Sequence, residues 1–389
     1  MPTPPLSHPE RALTIAGLWL VLCCSAAAAV DDGCPVSGSW VLDGVEGTHS
    51  SRDVLDHIEG ARIILLGESH DRPEDHRWQL HTLAALHSRY PDLRIGFEMF
   101  QRGHQDDLNR WVEGKLTEAE LLENTNWFEN WGFPSELYAP MLHFARMHQR
   151  PAHALNVDRK LVSRVGEDGW DALPSGLREE IGEPAAIPDA YRERLEEVVK
   201  DHPVPDGIDD ATYLERFLRA QNFWDRVMAK ALAEAAESGG PVVGLVGRGH
   251  MEYGHGIPHQ LADLGITEVA ALLPHRSGEP CLDESPPIAD ALFGVSDGPS
   301  DMAMQPMRLG IEIETGDKGL KIIAIRDESV AEHAGLRPGD VITGAAGREI
   351  RRRSDLLALL DRQRPGNAVL LNVRRNGKTR DLLATFPPE

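Results

Sequence analysis

Two apolar runs far apart in the chain share one design. Ile63 to Leu66 stops at Gly67, Glu68, Ser69 and His70, and Gly244 to Val246 runs into Gly247, Arg248, Gly249 and His250. A continuous apolar run suits a parallel strand covered on both faces. Each is therefore expected to be a buried strand with a polar tip. A third run, Leu93 to Phe97, ends on Glu98, and a fourth, Ala152 to Val157, ends on Asp158 and Arg159. Between these runs lie helical patterns: Pro73 to Tyr90, and Leu214 to Ala236 with Phe217, Gln221, Trp224, Val227 and Met228 at helical spacing. Such alternation predicts an α/β fold around a parallel sheet.

Parallel sheets bind ligands just beyond the carboxyl ends of their strands. The tips Glu68, His70, Glu98 and His250 are thus expected to converge, with Asn156 and Arg159 at the same edge. Two imidazoles and two carboxylates offer the donor types of a Zn site, with His70, Glu98 and His250 as ligands. Without metal, a Glu and His pair can act as a general base. The plain alternative for each residue singly is a polar cap on a helix start. His76 and Gln79 follow His70 on a helix and either point back at the cluster or cover the sheet. His255 and His259 have a metal-like spacing from His250, but Gly254, Gly256 and Pro258 break the helix that would align them. Trp111, Trp127, Phe128, Trp131, Phe133, Tyr138 and Phe144 concentrate in a chain with 6% aromatic residues. They predict a helical insertion with a small core of its own, or else a lid or apolar wall for a flat ligand such as haem.

Composition sets the frame. The 389 residues, 41% hydrophobic and 26% charged, suffice for a full core and more than one domain. The net charge of −22 is uneven: from Asp301 onward 15 Lys and Arg face 13 Asp and Glu, a balance of +2, which leaves −24 on the remainder. This acidity argues against nucleic acid as a partner. Arg11, the apolar stretch Ala12 to Cys24 and the small residues Ala26 to Ala29 read as a signal peptide over 1–29, and so as export. Leu22 before Cys23 argues against a lipid anchor. Cleavage leaves Cys34 and Cys281, which have one possible pairing in an oxidising compartment; two unpaired thiols are the alternative. A stretch rich in Pro, Ser, Asp and Gly predicts a linker over 281–305, between a domain at 30–280 and another at 306–389.

The segments LLGESHDRPEDHR, GFEMF, YAPMLHFAR, ALNVDRKLV, AQNFWDRVMA and VGRGHMEYGHGIP, in order over roughly Val54 to Pro274, resemble the ChaN family of haem-binding proteins. That resemblance implies two similar halves around a parallel sheet and a link to the Tiki, TraB-like and erythromycin-esterase superfamily. In that superfamily the GxxH motifs and the glutamates after strands are the presumed active-site residues, here Glu68, His70, Glu98 and His250. It also implies haem as cofactor, held as a cofacial pair between two subunits, hence a homodimer. His70, Asn156, Arg159, His250 and Tyr253 are the cofactor-binding candidates, and Tyr138 a further candidate axial ligand.

From Met307 on, the pattern changes. Leu309, Gly310, Ile311, Glu312 and Ile313, followed by SVAEHAGLRPGDVITGAAGREI and a helix at Ser354 to Arg362, resemble a bacterial PDZ domain. Such domains add a partner's C-terminal peptide as an extra strand and capture its carboxylate on backbone amides. The expected peptide contacts are Leu309, Gly310, Ile311, Ile313 and Leu356. The chain then reads as an exported protein, periplasmic or at the outer membrane, serving haem or iron uptake and recruiting a partner. A metal-dependent hydrolase or peptidase, and a catalytically inert adaptor, are the alternatives.

Overall fold

The computed structural model describes residues 33–200, 204, 207–282, 285–296, 307–316 and 318–388; the expected signal peptide lies outside the described residues. Eight strands, β1 (Trp40–Leu42), β2 (Val45–His49), β3 (Ile63–Glu68), β4 (Arg94–Gln101), β5 (Ala152–Asn156), β6 (Val242–Gly247), β7 (Val269–His275) and β8 (Ala291–Gly294), form one sheet. Their order is β2-β1-β8-β7-β3-β6-β4-β5. From β8 to β5 all neighbours are parallel, and β1 and β2 add an antiparallel margin.

β3 shows why the apolar runs do not alternate. Ile64 and Leu66 pack with Leu83 and Leu86 of the helix Pro73–Arg89, whereas Ile63 and Leu65 pack with Ala229 and Leu232 of the helix Asp210–Ala236. Both faces are covered, so every position must be apolar. Truncating such a fully buried leucine, as in Leu65→Ala, costs about 2–5 kcal/mol.

Two expectations are corrected. The aromatic segment builds no core of its own: Trp111, Trp127, Trp131, Tyr138 and Phe144 join the same cluster as Ile64, Leu66 and Phe97. Trp127 packs on Phe100 of β4 at 5.4 Å, which anchors the insertion to the sheet. The expected linker over 281–305 also carries structure. Ala291–Gly294 is β8, seated between β7 and β1, because its apolar residues complete the sheet. Residues 283–284 and 297–305 of that stretch lie outside the described residues. The expected Cys34–Cys281 disulfide is present, with a Cα–Cα distance of 4.9 Å.

The second domain has its own core, in which Leu320, Ile322, Ile342, Leu371 and Phe386 pack together. Its strands are β9 (Ile311–Gly316), β10 (Gly319–Ile325), β11 (Val341–Ala345), β12 (Arg348–Glu349), β13 (Ala368–Arg375) and β14 (Lys378–Thr385). They form the antiparallel path β14-β13-β11-β10-β9, with β12 on β11. β9 is therefore an edge with one side unpaired among the described residues. The two domains touch. Ser135 donates through Oγ to Asp361 Oδ2 at 2.8 Å, both residues being buried, while Arg364 pairs with Glu136 and Arg352 with Glu123. Burial pushes the Asp361 carboxyl above its ordinary value, against the hydrogen bonds from Ser135. Among the described residues no helix is long and apolar enough to cross a membrane.

Candidate functional site

The adjacent strands β3, β6 and β4 bring Glu68, His70, Glu98 and His250 to one edge of the sheet. Glu68 is the last residue of β3, His70 follows it, and His250 ends a short 3-10 turn after β6. Glu98 does not follow its strand as expected but lies within β4, which runs on to Gln101. Asn156, at the end of β5, donates to the Glu98 carbonyl at 3.0 Å and so ties β4 to its neighbour.

The site is two carboxylate–imidazole pairs. His70 Nδ1 lies 2.5 Å from Glu68 Oε1, and His250 Nε2 lies 3.6 Å from Glu98 Oε1. Glu98 Oε2 accepts the Gly247 amide at 2.6 Å. A Cβ on Gly247 would stand 2.8 Å from His70 Cε1, so glycine is what lets the imidazole lie against the β6 tip. Two carboxylate oxygens, Glu68 Oε2 and Glu98 Oε1, are buried without a hydrogen-bond partner among the described residues. The Nε2 of His76 stands 3.8 Å from the first of them and also meets the His70 carbonyl at 3.1 Å. His76 thus points back at the cluster, while Gln79 is spent on the Leu66 carbonyl.

Electrostatics follow from burial. Desolvation raises the Glu68 carboxyl above its ordinary value, against the hydrogen bond and charge of His70. For His70 burial acts downward, but the Glu68 hydrogen bond and the charges of Glu68 and Glu98 outweigh it and bring the imidazole to about 9. The first pair therefore holds a proton at neutral pH. His250 is likewise pulled down by burial yet held above its ordinary value by the charges of Glu98 and Asp225.

A further member, Asp225, carries no mark in the pattern of strand tips. It projects from the helix Asp210–Ala236, and its Oδ1 lies 2.5 Å from His250 Nδ1. Tyr191 donates to Asp225 Oδ2 at 2.9 Å, and the Gln221 amide approaches His250 Nδ1 at 2.9 Å. Burial lifts the Asp225 carboxyl above its ordinary value, against the pull of His250. A signal for it does exist: an aspartate in register with buried Leu218, Met228 and Leu232 on the helix face needs a buried partner.

The remaining candidates are placed differently. Arg159 is exposed at the start of the helix Arg159–Asp168. Tyr253 lies beside His255 and under Arg194, and His255 in turn stacks on Tyr191, which donates to Asp225. Tyr138 borders the cluster, donating to the His70 carbonyl at 3.5 Å, but is fully buried against Trp127, Trp131 and His76, which closes it to a ligand. The insertion does reach the site, however: the rings of Trp131 and Phe133 stand 4.7 and 4.9 Å from His70. Among the described residues, the group of three or more His, Cys, Asp and Glu donor atoms that lie within 4.8 Å of one another is that of Cys34, His275 and Cys281, and there the two sulfurs are joined. His70, Glu98 and His250 do not close to such a set.

In the PDZ-like domain, Leu309, Gly310, Ile311, Ile313 and Leu356 all line one groove of about 460 Å³ between β9 and the helix Arg353–Leu360. Gly310 has φ +77°, and a Cβ there would meet Ser329 at 2.4 Å, so the loop before β9 needs glycine.

A mostly parallel sheet with paired acids and imidazoles at its carboxyl edge, joined to an antiparallel domain with an open edge strand, defines a two-domain ligand- and peptide-binding class. Residues 54–261 match the family described as haem-binding uptake, Tiki superfamily, ChaN, and residues 307–385 match the PDZ domain family. The chain belongs to the ChaN family of haem-binding uptake proteins and carries a PDZ domain. A solved structure titled cofacial heme binding to ChaN of Campylobacter jejuni is similar in fold, with a TM-score of 0.53 at 18% identity over 65% of this chain and 95% of that one. The magnetosome formation protease MamE of Paramagnetospirillum magneticum is 32% identical over 89 residues, 22% of this chain; the match spans 12% of that protein. An HtrA3 PDZ domain bound to a phage-derived ligand matches 21% of this chain and 84% of that one at 23% identity, with a TM-score of 0.19.

Proposed function

We propose that this chain is an exported haem-binding protein, periplasmic or at the outer membrane, which its PDZ domain recruits to the C-terminal peptide of a partner. The observation that supports this reading is His70. Its side chain is 28% exposed, whereas those of Glu68, Glu98 and His250 are nearly closed to solvent, and it is flanked by Trp131 and Phe133. A porphyrin needs an apolar wall and a polar anchor: half-buried Phe133 and the exposed part of His70 offer these, while Trp131, 4% exposed, backs the imidazole from the core. A macrocycle has no room among the buried members of the cluster, so His70 with its two aromatic neighbours is the set that would hold it. Bound haem supplies an iron centre; the chain supplies an imidazole oriented by Glu68. Haem titration of the purified protein tests this. A Soret shift at stoichiometric haem that weakens in His70→Ala is expected, and an unchanged Soret band overturns the reading. Sedimentation with and without haem tests the homodimer that a cofacial pair requires.

A second reading has a specific observation in its favour. The partnerless oxygens Glu68 Oε2 and Glu98 Oε1 stand near imidazoles, an acceptor set suited to a divalent cation such as Zn. A metal-assisted hydrolase or peptidase would use His70, Glu98 and His250 as ligands, with Glu68 as the base for water. The spread of these donors places it second. Metal analysis of the purified protein separates the two, and failure of both assays leaves the inert adaptor.

A further inference from the structure

The groove of the PDZ domain is not walled by that domain alone. Phe128 and Gly132, from the aromatic insertion of the α/β domain, line it together with Ile311 and Leu356. Residues of the same short segment turn the other way: Trp131 and Phe133 lie against His70. The segment ends at Ser135, whose Oγ holds Asp361 just past the end of the groove helix. One stretch of nine residues, 127–135, therefore touches the groove on one side and the candidate haem site on the other.

We infer that the peptide site is a composite of both domains, and that a peptide seated between β9, the helix Arg353–Leu360 and Phe128 is sensed at His70 through Trp131 and Phe133. This rests on the reading of the PDZ domain as a peptide binder. The chemistry of the groove selects the partner's class. The unpaired edge of β9 offers backbone groups to an added strand, and Leu309, Ile311, Leu356 and Leu360 make an apolar floor for a terminal side chain. Arg308, Arg326 and Arg353 line the groove against Glu312 and Asp361, and Asp361 is engaged by Ser135. The excess of cationic side chains favours a free C-terminal peptide with an apolar last residue and an acidic residue upstream.

The test uses the full chain. A C-terminally displayed random peptide library is selected against it, and a fluorescein-labelled hit is titrated into wild type, Phe128→Ala and Phe128→Leu. Phe128→Ala is expected to weaken binding about tenfold, the scale of a lost interface anchor. Phe128→Leu, which keeps an apolar wall, stays within about threefold of wild type and so controls for folding. In ¹³C-histidine-labelled protein, saturating peptide is expected to move the His70 ring signal, assigned by its loss in His70→Gln. Equal affinity of Phe128→Ala and wild type, or a His70 signal that peptide leaves in place, overturns the inference while peptide binding stands. A library that yields no binder sinks the peptide-binding reading itself, and this inference with it.

Discussion

Asp225 meets His250 from the helix that covers the sheet, with Oδ1 2.5 Å from Nδ1. The contact fixes which imidazole nitrogen faces the helix and turns Nε2 toward Glu98 at 3.6 Å. Tyr191 completes the line from the other side of the carboxylate. The second imidazole of the site is thus oriented by the helix that precedes its own strand, Asp210–Ala236, and not by the strands beside it.

Asp225→Ala leaves a buried imidazole and a buried tyrosine hydroxyl without their shared acceptor. The expected loss is about 3–5 kcal/mol, the scale for breaking a buried charged pair. Urea unfolding checks it, and an unchanged midpoint would show that His250 needs no such support.

His70 carries a pH signature. Its folded value of about 9 lies above the ordinary 6.5, so its contribution to stability is complete below pH 6.5 and disappears as pH rises through about 9. Melting temperatures measured between slightly acidic and strongly alkaline buffers should fall more steeply in wild type than in His70→Gln. Parallel curves count against the Glu68–His70 pair.

The Cys34–Cys281 bond closes a span of 247 residues. Thiol titration of a denatured, unreduced fragment that begins after residue 29 should find no free thiol, and two would exclude the bond. Reduction should lower stability by about 2–4 kcal/mol, mainly by freeing the unfolded chain.

Peptide binding should require a free C-terminus, because the loop Leu309 to Ile311 presents donors to a carboxylate. Amidation of a selected peptide is expected to weaken binding at least about tenfold. A charge at Leu356 would test the fold as much as the groove, since that side chain is 2% exposed. Ile313→Glu, at a half-buried position on β9, is the cleaner block. Equal affinity for free and amidated peptides would rule out capture of the carboxylate by this loop.

The strands and their polar tips were legible because little besides a buried parallel strand accommodates a continuous apolar run that ends abruptly on Glu or His. Glu68, His70, Glu98 and His250 came from that signal, and Asn156 from the same edge. Asp225 and Tyr191 did not, because they sit in helices whose spacing shows a buried face without showing what the face meets. Arg159 is exposed to solvent for the converse reason: closeness in sequence to a strand end does not set the direction of a side chain. β8 was hidden by its setting, a strand of four residues among prolines and serines. The pairing of the insertion with the PDZ groove is a contact between domains, and no periodicity in either one encodes it.

The sheet order has a consequence for how this chain is made. β1 pairs with β2 and β8, and β8 lies between it and the rest of the sheet. As the polypeptide emerges from its amino end, the hairpin at Trp40–His49 finds no further strand to pair with until Ala291–Gly294 has appeared. Trp40 meets Ser51 and Trp78 early, but the open side of β1 must wait for its strand partner while the whole parallel body is synthesised. That delay leaves an unpaired strand edge on the nascent chain, the kind of surface that a holdase covers.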